Sequence, residues 1–155
     1  MGPMARRLAA LVACPLMVLA ACGASDRPLH PACTESPQAI EKALRRAPRP
    51  VTLAGGARLS DCVSRARTDA DLQEAGLVLT GAADDLASRA ERGDARAALA
   101  LGYLVGAARR GAARTAGIQA ELQRRVEHAA AFLEEGGPAV AAAVRRGMRA
   151  GEATG

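Results

Sequence analysis

The sequence has almost no aromatic side chains: its 155 residues include one tyrosine, one phenylalanine and no tryptophan. Large apolar residues are scarce as well, because Val, Ile, Leu, Met, Phe and Tyr supply only 25 of the 134 residues from position 22 onward. This composition approaches the range in which chains stay unfolded. The charge imbalance is modest, however, and alanine, the best helix former, is abundant. We therefore expect a folded domain with a thin helical core.

Lysine is nearly absent too, so arginine carries almost all of the positive charge. The formal net charge is +5, and it falls to +3 (19 basic minus 16 acidic side chains) if Arg6 and Arg7 are removed with a leader. Proteins that bind single-stranded nucleic acid combine basic grooves with stacking aromatic side chains, and the second feature is missing here. We expect no nucleic-acid partner.

The first 21 residues are organised like an export signal. Residues 1–7 carry two arginines and no acid, and residues 8–21 form a stretch of fourteen uncharged positions. This length suits the apolar region of a secretory signal and falls short of the roughly 20 apolar residues of a membrane-spanning helix. We therefore predict that residues 1–21 are a cleaved signal peptide and not a membrane span.

The end of this segment, Leu19-Ala20-Ala21-Cys22, resembles the lipobox of bacterial lipoproteins, in which a branched apolar residue and two small residues precede a cysteine. The resemblance implies that Cys22 is lipidated and becomes the mature N-terminus. It also implies a location in the bacterial cell envelope, anchored by lipid on the extracytoplasmic side of a membrane. The alternative is that Cys22 merely lies near an ordinary secretory cleavage site.

A second segment, residues 11–14 (LVAC), fits the same four-residue pattern. Only six residues separate Arg7 from Cys14, which is too few for a normal apolar region. Position therefore favours Cys22 as the lipidated residue.

The cysteine count follows from these assignments. If Cys14 leaves with the leader and Cys22 is lipidated, Cys33 and Cys62 remain. Two cysteines in an exported chain favour a structural disulfide, with free thiols as the alternative. A metal site lacks ligands, because the two histidines, His30 and His128, lie far apart in the sequence.

The mature chain divides into three parts. Residues 22–35 are polar and proline-containing, which predicts a lipidated tether, and residues 151–155 are predicted to be a disordered tail. Residues 36–150 show apolar positions at spacings of three and four, with helix-start signals at Ser36-Pro37, Thr68 and Asp94. We predict an all-α fold, a small bundle of five or six helices.

The segment from Ala97 to Ala108 contains no charge, so its helix is predicted to be buried on all sides. Gly102 and Gly106 form a G-x-x-x-G pattern, which allows two helix backbones to approach closely. The segment is too short to span a membrane, and we expect this close approach inside the bundle.

Residues 90–95 (AERGDA), followed by Leu101-Gly102-Tyr103, resemble part of the short helical-repeat proteins related to tetratricopeptide repeats. The resemblance covers about 15 residues, and the sequence shows no second copy, whereas such arrays need about three. It implies a scaffold built from stacked helices.

Residues that carry chemistry are not arranged for catalysis. The adjacent carboxylates Asp84-Asp85 and Glu134-Glu135 point about 100° apart on a helix, and no nucleophile elbow or phosphate-binding loop occurs. Ion pairs are expected from Asp85 to Arg89 and from Glu121 to Arg125, four residues apart. We expect no enzyme activity, no cofactor and no bound metal.

Paired arginines at 45/46, 109/110, 124/125 and 145/146 are predicted at helix C-terminal ends or on polar faces. Contact with lipid headgroups or an acidic partner is the alternative for these pairs. For the domain we expect a structural role or the binding of a protein partner in the envelope. The alternatives are a carrier or sensor of a small apolar ligand between the helices, and a helical-repeat-like scaffold.

Overall fold

The computed structural model describes residues 27–115 and 117–155, and Cys14 and Cys22 lie outside them. The described residues form six α-helices and three short 3-10 helices, and no β-strand occurs among them. The α-helices are α1 (Pro37–Leu44), α2 (Leu59–Ser64), α3 (Asp69–Glu91), α4 (Ala95–Ala112), α5 (Ala120–Ala130) and α6 (Pro138–Thr154). The 3-10 helices are Pro31–Cys33, Ala54–Gly56 and Ala131–Glu134. The prediction of an all-α bundle of five or six helices is confirmed.

The predicted helix starts are confirmed by their capping hydrogen bonds. The Ser36 hydroxyl accepts from the backbone N–H of Ala39 at 3.1 Å, and Pro37 occupies the first helical position. At the start of α3, the Asp71 N–H donates to the Thr68 hydroxyl at 3.0 Å, and an Asp71 carboxylate oxygen accepts from the Thr68 N–H at 3.2 Å. This reciprocal pair is a capping box, with aspartate in the position that glutamate usually fills.

Helices α3 to α6 form two consecutive helical hairpins, α3/α4 and α5/α6. The first helices of the hairpins run parallel, because the start of α3 faces the start of α5 and its middle faces Arg125 and His128. The second helices run parallel as well: Gly102 lies against Val144, and Gly106 lies one turn further on against Met148. The hairpins are therefore stacked in the same orientation.

The contact between α4 and α6 is made by glycines on both helices. Besides Gly102 and Gly106 of α4, Gly147 and Gly151 of α6 lie directly on the α4 backbone. A Cβ on Gly102 would overlap the carbonyl oxygen of Val144, and one on Gly151 would overlap a carbonyl oxygen of α4. The predicted close approach at Gly102 and Gly106 is confirmed, and α4 is buried along nearly its whole length. We call these glycines the glycine seam.

Tyr103, in the middle of α4, is fully buried, and its hydroxyl has two hydrogen-bond partners. It accepts from the backbone N–H of Val51 at 3.0 Å and lies 3.0 Å from the Thr154 hydroxyl. The tyrosine thereby ties the loop after α1 to the end of α6. Phe132, the single phenylalanine of the sequence, is 66% exposed and contributes little to the core.

The predicted disordered tail at residues 151–155 is wrong. Helix α6 continues to Thr154, and both Gly151 and Gly155 are buried. Glycines at the end of a helix predict fraying, but Gly151 and Gly155 let the end of α6 pack on α4. The Ser60 hydroxyl also donates to the Gly155 carbonyl at 2.6 Å. The folded domain therefore extends beyond position 150.

Helix α5 starts at Ala120, and the Ile118 side chain just before it is 56% exposed. Leu122, Val126 and Leu133 are buried as the periodicity predicts. Within the ranges 27–115 and 117–155, no helix has both the length and the apolar character needed to cross a membrane.

Candidate functional site

The junction between the predicted tether and the domain is more ordered than the sequence suggests. Residues 31–33 form a 3-10 helix, and the His30 ring nitrogen Nδ1 accepts from the Ala32 backbone N–H at 3.2 Å. Ala32 and Cys33 are buried, and Leu29 packs partly against the core. The prediction that the tether extends to residue 35 is therefore wrong, because the cross-link at Cys33 and this cap fix the chain earlier.

A disulfide joins Cys33 to Cys62, as predicted. The two Cα atoms are 5.4 Å apart, and both residues are fully buried. The bond connects the first 3-10 helix to α2 and closes a loop that contains α1. Among the described residues, no group of three or more His, Cys, Asp or Glu side chains is placed to hold a metal ion.

A groove with a volume of about 560 Å³ lies between α1, the end of α3 and the start of α4. Its floor includes Leu44, Leu86 and Ala97, together with neighbouring apolar residues. These three side chains are 98–99% buried. A ligand in this groove would remove little further apolar surface from water, and apolar binding scales with that surface. The groove thus gives little support to an apolar carrier.

The rim of this groove is charged. The Arg89 guanidinium bonds the Glu41 carboxylate at 3.2 Å and the Asp94 carboxylate at 2.9 Å, which links α1, α3 and the start of α4. Within residues 27–115 and 117–155, the expected ion pair between Asp85 and Arg89 does not form, because Arg89 turns toward these two carboxylates. Arg45 and Arg96 also line the groove, and both are exposed.

Asp94 caps α4 and bonds Arg89 of this charged rim. One carboxylate oxygen accepts from the backbone N–H groups of Arg96 and Ala97, each at 3.0 Å. The hydrogen bond from Ala97, followed by that from Arg89, holds the pKa of Asp94 below its ordinary value of 3.8. The ionised carboxylate therefore stabilises the folded state.

We expect Asp94→Ala to lower the free energy of unfolding by about 1 kcal/mol at pH 7, because the cap is lost. The folded-state pKa lies below the unfolded one, so the contribution of the charge is present above pH 3.8 and disappears as the pH falls through the lower, folded value. Urea unfolding at pH 7 and at pH 3 measures the free energy of unfolding of the variant and of the wild type. The difference between the two proteins should be smaller at pH 3. Asp84→Ala, at an exposed site on α3, is the matched control. A deficit that is equal at both pH values would contradict this origin.

The arginine pairs have different environments. The Arg109 guanidinium donates to Glu127 at 2.6 Å and to Glu152 at 3.4 Å, so it joins α4, α5 and α6. The hydrogen bond to Glu127 raises the pKa of Arg109 above its ordinary value. Arg110 donates to the carbonyl oxygens of Glu152 and Ala153, each at 2.7 Å, at the end of α6. These two arginines have a structural role.

On α5, the predicted pair between Glu121 and Arg125 is confirmed at 3.0 Å, and Arg124 bonds the same carboxylate at 2.7 Å. His128 is exposed, and its ring meets Phe132 edge-on with centroids 6.0 Å apart. His128 is therefore a surface side chain. Among the described residues, it has no acidic or nucleophilic partner.

No protein family, no curated protein and no solved structure matches this chain. The features that bear on function are the segment before Cys22, the disulfide, the stacked hairpins and the arginines that have no acidic partner.

Proposed function

We propose that the protein is a bacterial lipoprotein, held by lipid on Cys22 at the extracytoplasmic side of a membrane, whose helical domain has a structural or partner-binding role without catalysis. The observation that carries the proposal is the Leu19-Ala20-Ala21-Cys22 segment directly after fourteen uncharged residues. Its cysteine, small neighbours and position together meet the requirements of lipidation and cleavage.

Two features of the domain support this proposal. The buried Cys33–Cys62 disulfide suits an oxidising compartment outside the cytoplasm. Nine peptide steps separate Cys22 from Pro31, where the folded part begins. At about 3.3–3.6 Å per residue, this segment spans at most about 32 Å, so the domain would stay close to the membrane surface.

A helical-repeat-like scaffold is the second candidate for the role of the domain. The observation that favours it is the stacking of the α3/α4 and α5/α6 hairpins in the same orientation, with α4 parallel to α6. Stacked units of this kind present extended faces to partners. A carrier of a small apolar ligand is the weaker alternative, because a ligand in the α1 groove would remove little further apolar surface from water.

Metabolic labelling with a palmitate analogue tests the anchor. We expect the wild-type protein to incorporate the label, and Cys22→Ala to lose it and to accumulate with its leader uncleaved. Cys14→Ala is the matched control, because residues 11–14 fit the same pattern at the wrong position, and it should keep full labelling. Undiminished label in Cys22→Ala would refute lipidation at this residue, and loss in Cys14→Ala alone would move the anchor to Cys14.

A further inference from the structure

We propose that a basic surface at the end of α1 docks on anionic phospholipid headgroups of the membrane that carries the lipid anchor. This basic surface of α1 consists of Lys42, Arg45, Arg46 and Arg49. The proposal rests on the proposed function, because the anchor brings the domain to the membrane.

The basic surface of α1 is a local excess of positive charge. Residues 42–50 contain these four cations and no acid, and all four side chains are exposed. Within the described ranges, none of the four forms an ion pair or a side-chain hydrogen bond. Arg96, which is also exposed, faces Arg45 across the groove.

The nearby acids leave this excess in place. Glu41 is held by Arg89, which also bonds Asp94. Glu35 lies beside Lys42 and Arg46 and offsets one charge. The cluster of Arg89, Glu41 and Asp94 has a net charge of −1. With this cluster and Glu35 subtracted, the net charge of the region is +3, from the five cations Lys42, Arg45, Arg46, Arg49 and Arg96.

Several arginines elsewhere in the described residues have their charge used inside the domain. Arg109 and Arg125 bond carboxylates, and Arg110 bonds the carbonyl groups at the end of α6. The basic surface of α1 makes no such internal contact, so its charge is available to an external anion. Charge complementarity therefore favours an anionic surface as its occupant.

The place of α1 in the chain suits a membrane as that surface. Helix α1 is the first α-helix after the tether, and Lys42 is eleven residues beyond Pro31. Its apolar residues Ile40 and Leu44 are buried, so the basic surface offers no large side chain for insertion. Contact would be electrostatic and weakened by salt, because the Debye length shortens from about 10 Å at 0.1 M to about 3 Å at 1 M.

Vesicle co-sedimentation tests the proposal without the anchor. The protein used is the chain from residue 22 with Cys22→Ser, which contains every described residue. We expect it to bind vesicles of phosphatidylglycerol and phosphatidylcholine at low salt, to release them at 1 M salt, and to ignore vesicles of pure phosphatidylcholine. Each basic residue near an anionic surface strengthens binding by about fivefold.

Two triple variants remove the same charge from different helices. Arg45→Gln/Arg46→Gln/Arg49→Gln removes three cations of the basic surface of α1 and should weaken binding by about tenfold or more. The control, Arg145→Gln/Arg146→Gln/Arg149→Gln, removes three exposed cations of α6 and should change binding by about twofold or less. Circular dichroism and urea midpoints verify that both variants are folded.

Equal loss in the two variants would overturn the proposal, since binding would then follow net charge and not this surface. Failure of the unsubstituted chain to bind anionic vesicles would overturn it too, and would favour an acidic protein as the occupant. Equal binding to both vesicle types would exclude headgroup charge as the cause. Labelling at Cys22 is measured separately, so each of these failures is distinguishable from failure of the lipid anchor.

Discussion

Gly151→Ala is expected to destabilise the domain by about 2–3 kcal/mol, although alanine is the better helix former by roughly 1 kcal/mol. The reason is the glycine seam: a Cβ at position 151 would overlap the carbonyl oxygen of Tyr103 and lie 2.8 Å from the backbone nitrogen of Ala107. Backbone atoms of a buried helix cannot move aside like the end of a flexible side chain, so α6 must shift outward. Equilibrium unfolding in urea measures the loss.

Gly76→Ala is the matched control for this prediction. It makes the same chemical change in the interior of α3, where the nearest atom to the new Cβ is Leu122 Cδ1 at an ordinary distance of 3.8 Å. Helix propensity should dominate there, and we expect a stability gain of up to about 1 kcal/mol. A stable Gly151→Ala protein would show that α4 and α6 are not held at backbone contact. The opposite signs of the two variants make the comparison independent of their absolute values.

Removal of the Cys33–Cys62 disulfide should lower the free energy of unfolding by about 3.5 kcal/mol, from loop-closure entropy for a sequence separation of 29 residues. This is a large share of the stability of a small domain whose core is rich in alanine. The measurement is urea unfolding of the wild type with and without reductant, and of the Cys33→Ala/Cys62→Ala variant.

The double variant also serves as the control for the reductant. Once both sulfur atoms are gone, added reductant should leave its unfolding midpoint unchanged. In the wild type, reduction should shift the midpoint toward that of the double variant. An identical wild-type midpoint with and without reductant would contradict a stabilising role for the bond.

Local signals in the sequence predict most of this fold. Ser36, Thr68 and Asp94 act as helix caps because each needs only backbone N–H groups within three residues along the chain. The Glu121–Arg125 pair follows from i,i+4 geometry for the same reason. Gly102 and Gly106 predict a close approach of two helices, although the sequence does not identify the partner helix.

The errors arise where the partner is distant in the chain. Gly151 and Gly155 look like a fraying end, because their value depends on a contact with α4 more than 40 residues earlier. Arg89 bonds Glu41, 48 residues away, and so bypasses Asp85 one turn before it. Arg96 joins Arg45 at the α1 groove only through tertiary packing. In each of these cases, local periodicity carries no information about which elements meet.

The Cys33–Cys62 bond has a mechanical consequence for a chain that is held at one end. Tension applied upstream of Cys33 would have a short covalent path through the bond directly into α2, which bypasses residues 34–61 and thus α1. From α2, the Ser60 hydroxyl transmits the pull to Gly155, and Gly111 of α4 lies against Ser60 and Val63. A force on the proposed anchor would thus reach α4, the helix that is buried along nearly its whole length.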